Sequence, residues 1–233
     1  MSASSNGPRI ALVHALAHSV APINDALQRA WPEAVRMNLL DDSLSADLAR
    51  NTANGGAGLD AVMHQRFETL AAYAEGTGAQ ALLFTCSAFG PCIEAVASRR
   101  PHMPVLKPNE AMVDEAVSTA AGGRIGLIAS FAPTLVSMPG EFPEGTDLVC
   151  ALTAEAMDAL NQGDLARHDA CVVQAALQLK AQGSAVIALA QFSMARAQPA
   201  VEQAVGLPVL TTPGSAIRVL RQRLQSKVAV ERA

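Results

Sequence analysis

Short apolar runs recur along the chain, each bounded by glycine, proline or polar residues. Between them lie longer stretches with the apolar spacing of amphipathic helices. The segments "RIALVHA" (9–15), "EAVRMNLL" (33–40), the run at 80–85 and "PVLKP" (104–108) read as four strands. Helices are expected after Pro22, which suits a first helical turn, then over 59–74, from about Pro91, and over 109–120. "DDSLS", after the second strand, reads as turn chemistry, and "NGGAG" (54–58) as a flexible loop. "AGGRIGLIAS" (121–130) restarts the pattern after a Gly-Gly break. "TDLVCALTAEAM" (146–157) reads as a strand running into a helix start, and 164–182 as a long helix with Asp164 near its beginning. "SAVIALA" (184–190) and "PVLTTP" (208–213) supply the last two strands. A closing helix spans 214–228, its Arg and Lys residues forming a solvated face. Strand-helix alternation of this kind predicts an α/β fold of parallel sheets covered by helices.

The pattern also repeats. "RIALVHA" at Arg9 corresponds to "RIGLIAS" at Arg124, and "PVLKP" at Pro104 to "PVLTTP" at Pro208. Cys86 stands as far beyond Gly78 as Gln191 stands beyond Gly183. Three elements in one order point to two similar α/β lobes.

Composition narrows the possibilities. Half the residues are hydrophobic but only 3% are aromatic, so the core is built from Ala, Val, Leu and Ile, as suits parallel strands buried between Ala-rich helices. Seventeen basic residues against 21 acidic ones give a net charge of -4, and there is no basic stripe, which argues against nucleic acid as a partner. No stretch approaches membrane-spanning length, and residues 10–17 read as a first strand and not as a secretion signal, behind a loose polar leader over 1–7. The cysteines at 86, 92, 150 and 171 form neither a disulfide framework nor a zinc pattern; they read as reduced thiols of a cytoplasmic protein.

"FTCSAFGPCIEA", "PVLKPNEAMVDEA", "LTTPGSA" and the lobe repeat together resemble the aspartate/glutamate racemase superfamily, which works without pyridoxal phosphate. That superfamily includes hydantoin racemases, maleate isomerases and arylmalonate decarboxylase. The resemblance implies two lobes, 8–120 with 214–230 and 121–213, related by a pseudo-twofold axis, with the site in the cleft between them. It also implies no cofactor, a small carboxylate substrate and a homodimer. Racemases of this kind place one cysteine at a strand tip in each lobe. Cys86 falls on the first position, whereas Gln191 in "LAQFSMA" falls on the second, a departure that speaks against two-cysteine racemisation.

Ligands of open α/β sheets collect beyond the carboxyl ends of the strands. Cys86 sits at such an end, ahead of a helix whose positive N-terminus is expected to lower the thiol's pKa from about 8.5 toward neutrality. Thr85 and Ser87 add hydroxyls beside it. Gln191 cannot exchange a proton, though its amide can hold a ligand oxygen, and Ser193 is a companion donor. Thr211 and Thr212 end the last strand, and His14 ends the first. His14 and His18 have no acidic partner at ligand spacing, so no metal site is expected. Asp41 and Asp42 read as a polar turn and Glu110 as a first-turn helix carboxylate; Cys92, Cys150 and Cys171 read as packing residues. One thiol serves one face of a substrate. This favours a lyase or isomerase over a racemase, unless Cys92, His14 or water acts as the second base. The alternative to an enzyme is a protein on the same fold that binds a small metabolite as a sensor.

Overall fold

The computed structural model describes residues 7–231, so all but the last residue of the leader over 1–7 lies outside the described residues. The chain divides into two compact units, Met1–Lys107 with Ile217–Ala233, and Pro108–Ala216.

In the first unit, β1 (Arg9–His14), α1 (Val20–Ala30), β2 (Val35–Leu40), α2 (Ser43–Ala53), α3 (Ala61–Gly76), β3 (Ala81–Phe84), α4 (Gly90–Arg99) and β4 (Val105–Leu106) follow in order. The second unit contains α5 (Glu110–Ala120), β5 (Arg124–Ala129), α6 (Ala132–Ser137), β6 (Leu148–Leu152), α7 (Ala154–Asn161), α8 (Leu165–Ala181), β7 (Ser184–Leu189), α9 (Gln198–Val205) and β8 (Val209–Thr211). The final helix, α10 (Thr212–Glu231), begins in the second unit and ends in the first.

Both sheets are parallel throughout and have the same strand order, β2-β1-β3-β4 and β6-β5-β7-β8. The repeat seen in the sequence is therefore a repeat of topology. Central strands β1, β3, β5 and β7 are covered on both faces, which is why they read as nearly unbroken apolar runs. Edge strands β2 and β6 are only partly covered. Cys150, on β6, is consequently exposed and Cys171 is half-buried, against the expectation that both belong to the core.

Three helices escape a reading of pattern alone: α2, α6 and α9. The first starts inside "DDSLS". There the Asp41 carboxylate accepts from the Ser43 N–H at 3.2 Å, a local turn that launches the helix. Leu44 and Leu48, one turn apart, then bury its inner face. Asp164 does cap α8, accepting from the Arg167 N–H at 3.0 Å, and Asp60 caps α3 in the same way. Among the described residues, no helix is long and apolar enough to cross a membrane.

The first unit carries an ion network centred on a nearly buried arginine. Arg100 donates to both oxygens of Glu68, at 2.6 and 3.1 Å, and to Glu75 at 3.0 Å. Hydrogen bonds from Arg100 hold the Glu68 carboxyl below its ordinary value. A depressed carboxyl pKa stabilises the fold above the unfolded-state value of 4.5, and that contribution fades as pH falls below it. Arg100→Ala is expected to lower the unfolding free energy by about 2 kcal/mol, less than for a fully enclosed pair because both carboxylates keep solvent contact. Urea titration at neutral pH reads it.

Candidate functional site

The first unit presents its chemistry where β3 ends. Thr85 and Cys86 continue the extended chain, a single 3-10 turn spans Ser87–Phe89, and α4 begins only at Gly90. The side chain of Ser87 lies outside the described residues. Cys86 is half-buried and adjoins a narrow crevice walled by Val13, His14, Ala15, Leu44, Phe67 and Phe84. Burial pushes its thiol pKa up from the ordinary value, against two downward influences, the Ala88 N–H and the Ser45 side chain. The net direction is upward, opposite to that expected from a helix terminus alone. Its apolar walls penalise the thiolate, and the intervening turn supplies a single N–H where a helix terminus would supply several.

His14 lines the same crevice, fully buried at the tip of β1. In its neutral ring Nε2–H donates to Asn38 Oδ1 at 2.9 Å, and Nδ1 accepts from the Thr85 hydroxyl at 2.8 Å. Asn24 Nδ2 donates to the same Asn38 oxygen at 2.9 Å, which fixes that atom as the acceptor. Burial lowers the His14 pKa, and the Asn38 bond offsets this in part. For a histidine lowered in the fold, stability is complete above the unfolded value of 6.5 and is lost as pH falls below it. Between about pH 7.5 and about pH 5.5, the urea midpoint of the native chain is therefore expected to fall further than that of His14→Gln.

In the second unit Gln191 occupies the place that Cys86 has in the first. It is extended, follows β7 and precedes a 3-10 turn, Phe192–Ala197. Its Oε1 accepts from the Ser130 N–H at 2.5 Å and from the Ser130 hydroxyl at 3.0 Å. With the oxygen so occupied, Nε2 is the end of the amide left to offer. Ser193 and Thr212 are buried with hydroxyls that make no hydrogen bond, while Thr211 is half-buried at the end of β8. Fully buried Asn109, just before α5, likewise leaves both ends of its amide unpaired. The far end of α5 lies at the start of β5, because only residues 121–123 join the two elements. Helix α5 packs on β5, β7 and β8 and runs antiparallel to them, so Asn109 belongs to the end of the sheet where Gln191, Ser193 and Thr212 lie.

Several neighbours fall outside this chemistry. Cys92 is buried and pushed up to about 11, by burial first and by the Asp60 carboxylate second, as a packing thiol should be. Glu110 sits in the first turn of α5. A roomier open groove of about 460 Å³ runs along α3, lined by Asp41, Val62, Gln65, Arg66 and Leu70 among others, but neither Cys86 nor His14 reaches it. Among the described residues, no three His, Cys, Asp or Glu side chains are grouped so as to hold a metal. Ser45, Asn38, Ser130 and Asn109 were not singled out by sequence reasoning. Ser130 had a detectable signal, because "RIGLIAS" aligned on "RIALVHA" puts it at the tip of β5, beside β7.

The comparisons agree with this architecture. The chain is similar in structure to glutamate racemase RacE1 from Bacillus anthracis, at 15% identity over 95% of this chain and 83% of that one, with a TM-score of 0.73. It is similar to allantoin racemase from Klebsiella pneumoniae, at 16% identity over 97% and 89%, with a TM-score of 0.63. A Gly74Cys mutant of arylmalonate decarboxylase matches at 18% identity over 92% of each chain, with a TM-score of 0.59. Identities this low establish a shared fold and nothing finer. Among curated protein sequences none matches. The model of the Asp/Glu/Hydantoin racemase family matches residues 15–220, which takes in both strand tips and every described strand except β1. The chain belongs to the Asp/Glu/hydantoin racemase family.

Proposed function

We propose that the protein is a cofactor-independent enzyme acting on a small carboxylate or related carbonyl compound, with Cys86 as its one reactive thiol. In this reading it is a lyase or isomerase and not a two-base racemase. The observation that carries it is the unlike pair at matching strand tips: an ionisable thiol in the first unit, and in the second an amide pinned by Ser130. Gln191, Ser193, Thr211 and Thr212, with Asn109, are the proposed holders of substrate oxygens, and His14 and Thr85 the polar surroundings of the thiol.

The upward pull on Cys86 supports a proton-donating role. A thiol kept neutral cannot serve as a resting base, but it can protonate a carbanion. In a decarboxylation, the C–C bond to the departing carbon dioxide breaks and its electron pair stays on the substrate carbon. The Cys86 S–H proton then forms the new C–H bond, and solvent reprotonates the thiolate. Each unit of pKa mismatch along the way costs about 1.4 kcal/mol, so hydrogen-bond donors aimed at the developing enolate supply most of the rate. Covalent isomerase chemistry at the same sulfur is the variant to separate from it. The family's enzymes act without a cofactor in the resemblance noted above, and operation as a cytoplasmic homodimer belongs to the same proposal; sedimentation reads the pairing.

A second reading, a sensor that binds a small metabolite without turning it over, draws support from the same raised thiol pKa. One experiment divides the two. Aspartate, glutamate, a hydantoin, an arylmalonate and maleate are each incubated in heavy water with the wild type and with Cys86→Ser, and deuterium and configuration are followed. Deuterium delivered to one face by the wild type alone supports the proposal. Full racemisation would contradict the one-thiol reading, and tight binding with no conversion of any compound would favour the sensor.

A further inference from the structure

We infer that Arg66 and Ser45 are positioning residues for Cys86: Arg66 ties down the start of α2, and α2 in turn holds the Ser45 hydroxyl against the sulfur. The inference rests on the reading of Cys86 as the reactive thiol.

The contacts run in an unbroken chain. Arg66, on α3, donates to Asp41 Oδ2 and to Asp47 Oδ2, each at 2.6 Å, and also to the Ser43 hydroxyl. Asp41 in turn accepts from the Ser43 hydroxyl at 2.6 Å. One planar guanidinium thus grips the loop before α2, its first residue and its second turn. Two fixed donors on one rigid plane set an orientation as well as a distance. Leu44, between the gripped residues, is fully buried and walls the crevice that Cys86 adjoins. Ser45, the next residue, is the side chain that hydrogen-bonds to the sulfur. Phe67, the neighbour of Arg66 on α3, walls the same crevice, so one helix supplies both the clamp and part of the wall.

The ion pairs themselves do not explain the arrangement by stability. Each side chain in them keeps between 26% and 31% of its surface in solvent, where such pairs add about 0–1 kcal/mol. Their geometric effect is larger. A hydroxyl directed at sulfur gains strength as the thiol becomes a thiolate, because the bond is then charge-assisted. The other donor, the Ala88 N–H, is backbone and cannot be removed by changing a side chain. Of the groups walling the crevice, His14 is the one that titrates, and burial keeps it neutral; α3 contributes Phe67 there and β3 Phe84, both apolar.

Alkylation of Cys86 in the whole protein, mapped by peptide mass across a range of pH, tests this without any substrate. Ser45→Ala is expected to slow alkylation about tenfold at about pH 8 and to displace the pH profile upward, and Ser45→Thr to restore it. Arg66→Met is expected to give the same displacement, with no further change in the double variant Arg66→Met/Ser45→Ala. An unchanged profile in Ser45→Ala, with Cys86 reactive in the wild type, overturns the inference alone. So does an Arg66→Met variant that loses thermal stability but keeps the wild-type profile. A wild-type Cys86 that resists alkylation at every pH overturns the reading of Cys86 itself. Should Arg66→Met fail to fold, the two Ser45 variants still decide the matter.

Discussion

Cys86→Ala is expected to reduce conversion of the true substrate by about 10³-fold or more, the scale on which positioned proton-transfer groups act. The fold should tolerate the change. Cys86 is half-buried, follows β3 outside the strand ladder and lies at the crevice rim, so truncation removes one sulfur and little packing. Melting temperature is therefore expected to move by a few degrees at most while turnover collapses. Residual activity within tenfold of the wild type, with the variant folded, would show that the thiol is not the reacting group. The variant also separates the cysteines, because Cys92, with its pKa of about 11 and its buried side chain, offers no substitute.

Phe67→Ala is expected to be the most damaging single truncation for stability, at about 4 kcal/mol. The chain has only 6 phenylalanines, and three of them form one cluster; two of these, Phe67 and Phe84, wall the crevice that Cys86 adjoins. The ring centroid of Phe67 lies 5.3 Å from that of Phe84 and 4.9 Å from that of Phe89, and all three rings are essentially free of solvent. Removing the central ring leaves a cavity and forfeits two aromatic pairings, each worth about 0.5–1.5 kcal/mol beyond buried area. Val13, Ala15 and Leu44, which wall the same crevice, are too short to fill the space by rotamer change. Urea unfolding at neutral pH reads the loss, and a value under about 1 kcal/mol would mean that the crevice walls collapse to compensate. Opening the wall also hydrates the sulfur, so alkylation of Cys86 should become faster in this variant while Ser45→Ala slows it.

The central strands were legible from sequence because a parallel strand covered on both faces leaves an unbroken apolar run, as at 10–13 and 186–190. The equivalence of Cys86 and Gln191 was legible for a related reason: both follow such a run at the same spacing, and the shared strand order makes that spacing structural. Helix α2 was hidden by its own start signal, since Asp41, Asp42 and Ser43 are turn formers and helix starters alike. Cys150 was misjudged because hydrophobic character says nothing of whether a strand is central or at an edge. The direction of the Cys86 shift was misjudged because sequence shows the residues that follow a thiol but not the walls around it. Leu44, Phe67 and Val13 come from three other elements, brought together only by the crossovers of the first sheet. Ser45 and Arg66 were invisible for the same reason, being distant along the chain from the sulfur they are inferred to serve.

The account stands or falls on a thiol that a small carboxylate can reach. Competitive alkylation reads this directly: the native chain is treated with iodoacetamide as pH is raised, with and without malonate, and each cysteine is quantified by peptide mass. Malonate is predicted to slow labelling of Cys86 while exposed Cys150 reacts at an unchanged rate. Labelling of Cys86 that malonate does not slow, or its complete absence where Cys150 reacts fully, would contradict the account.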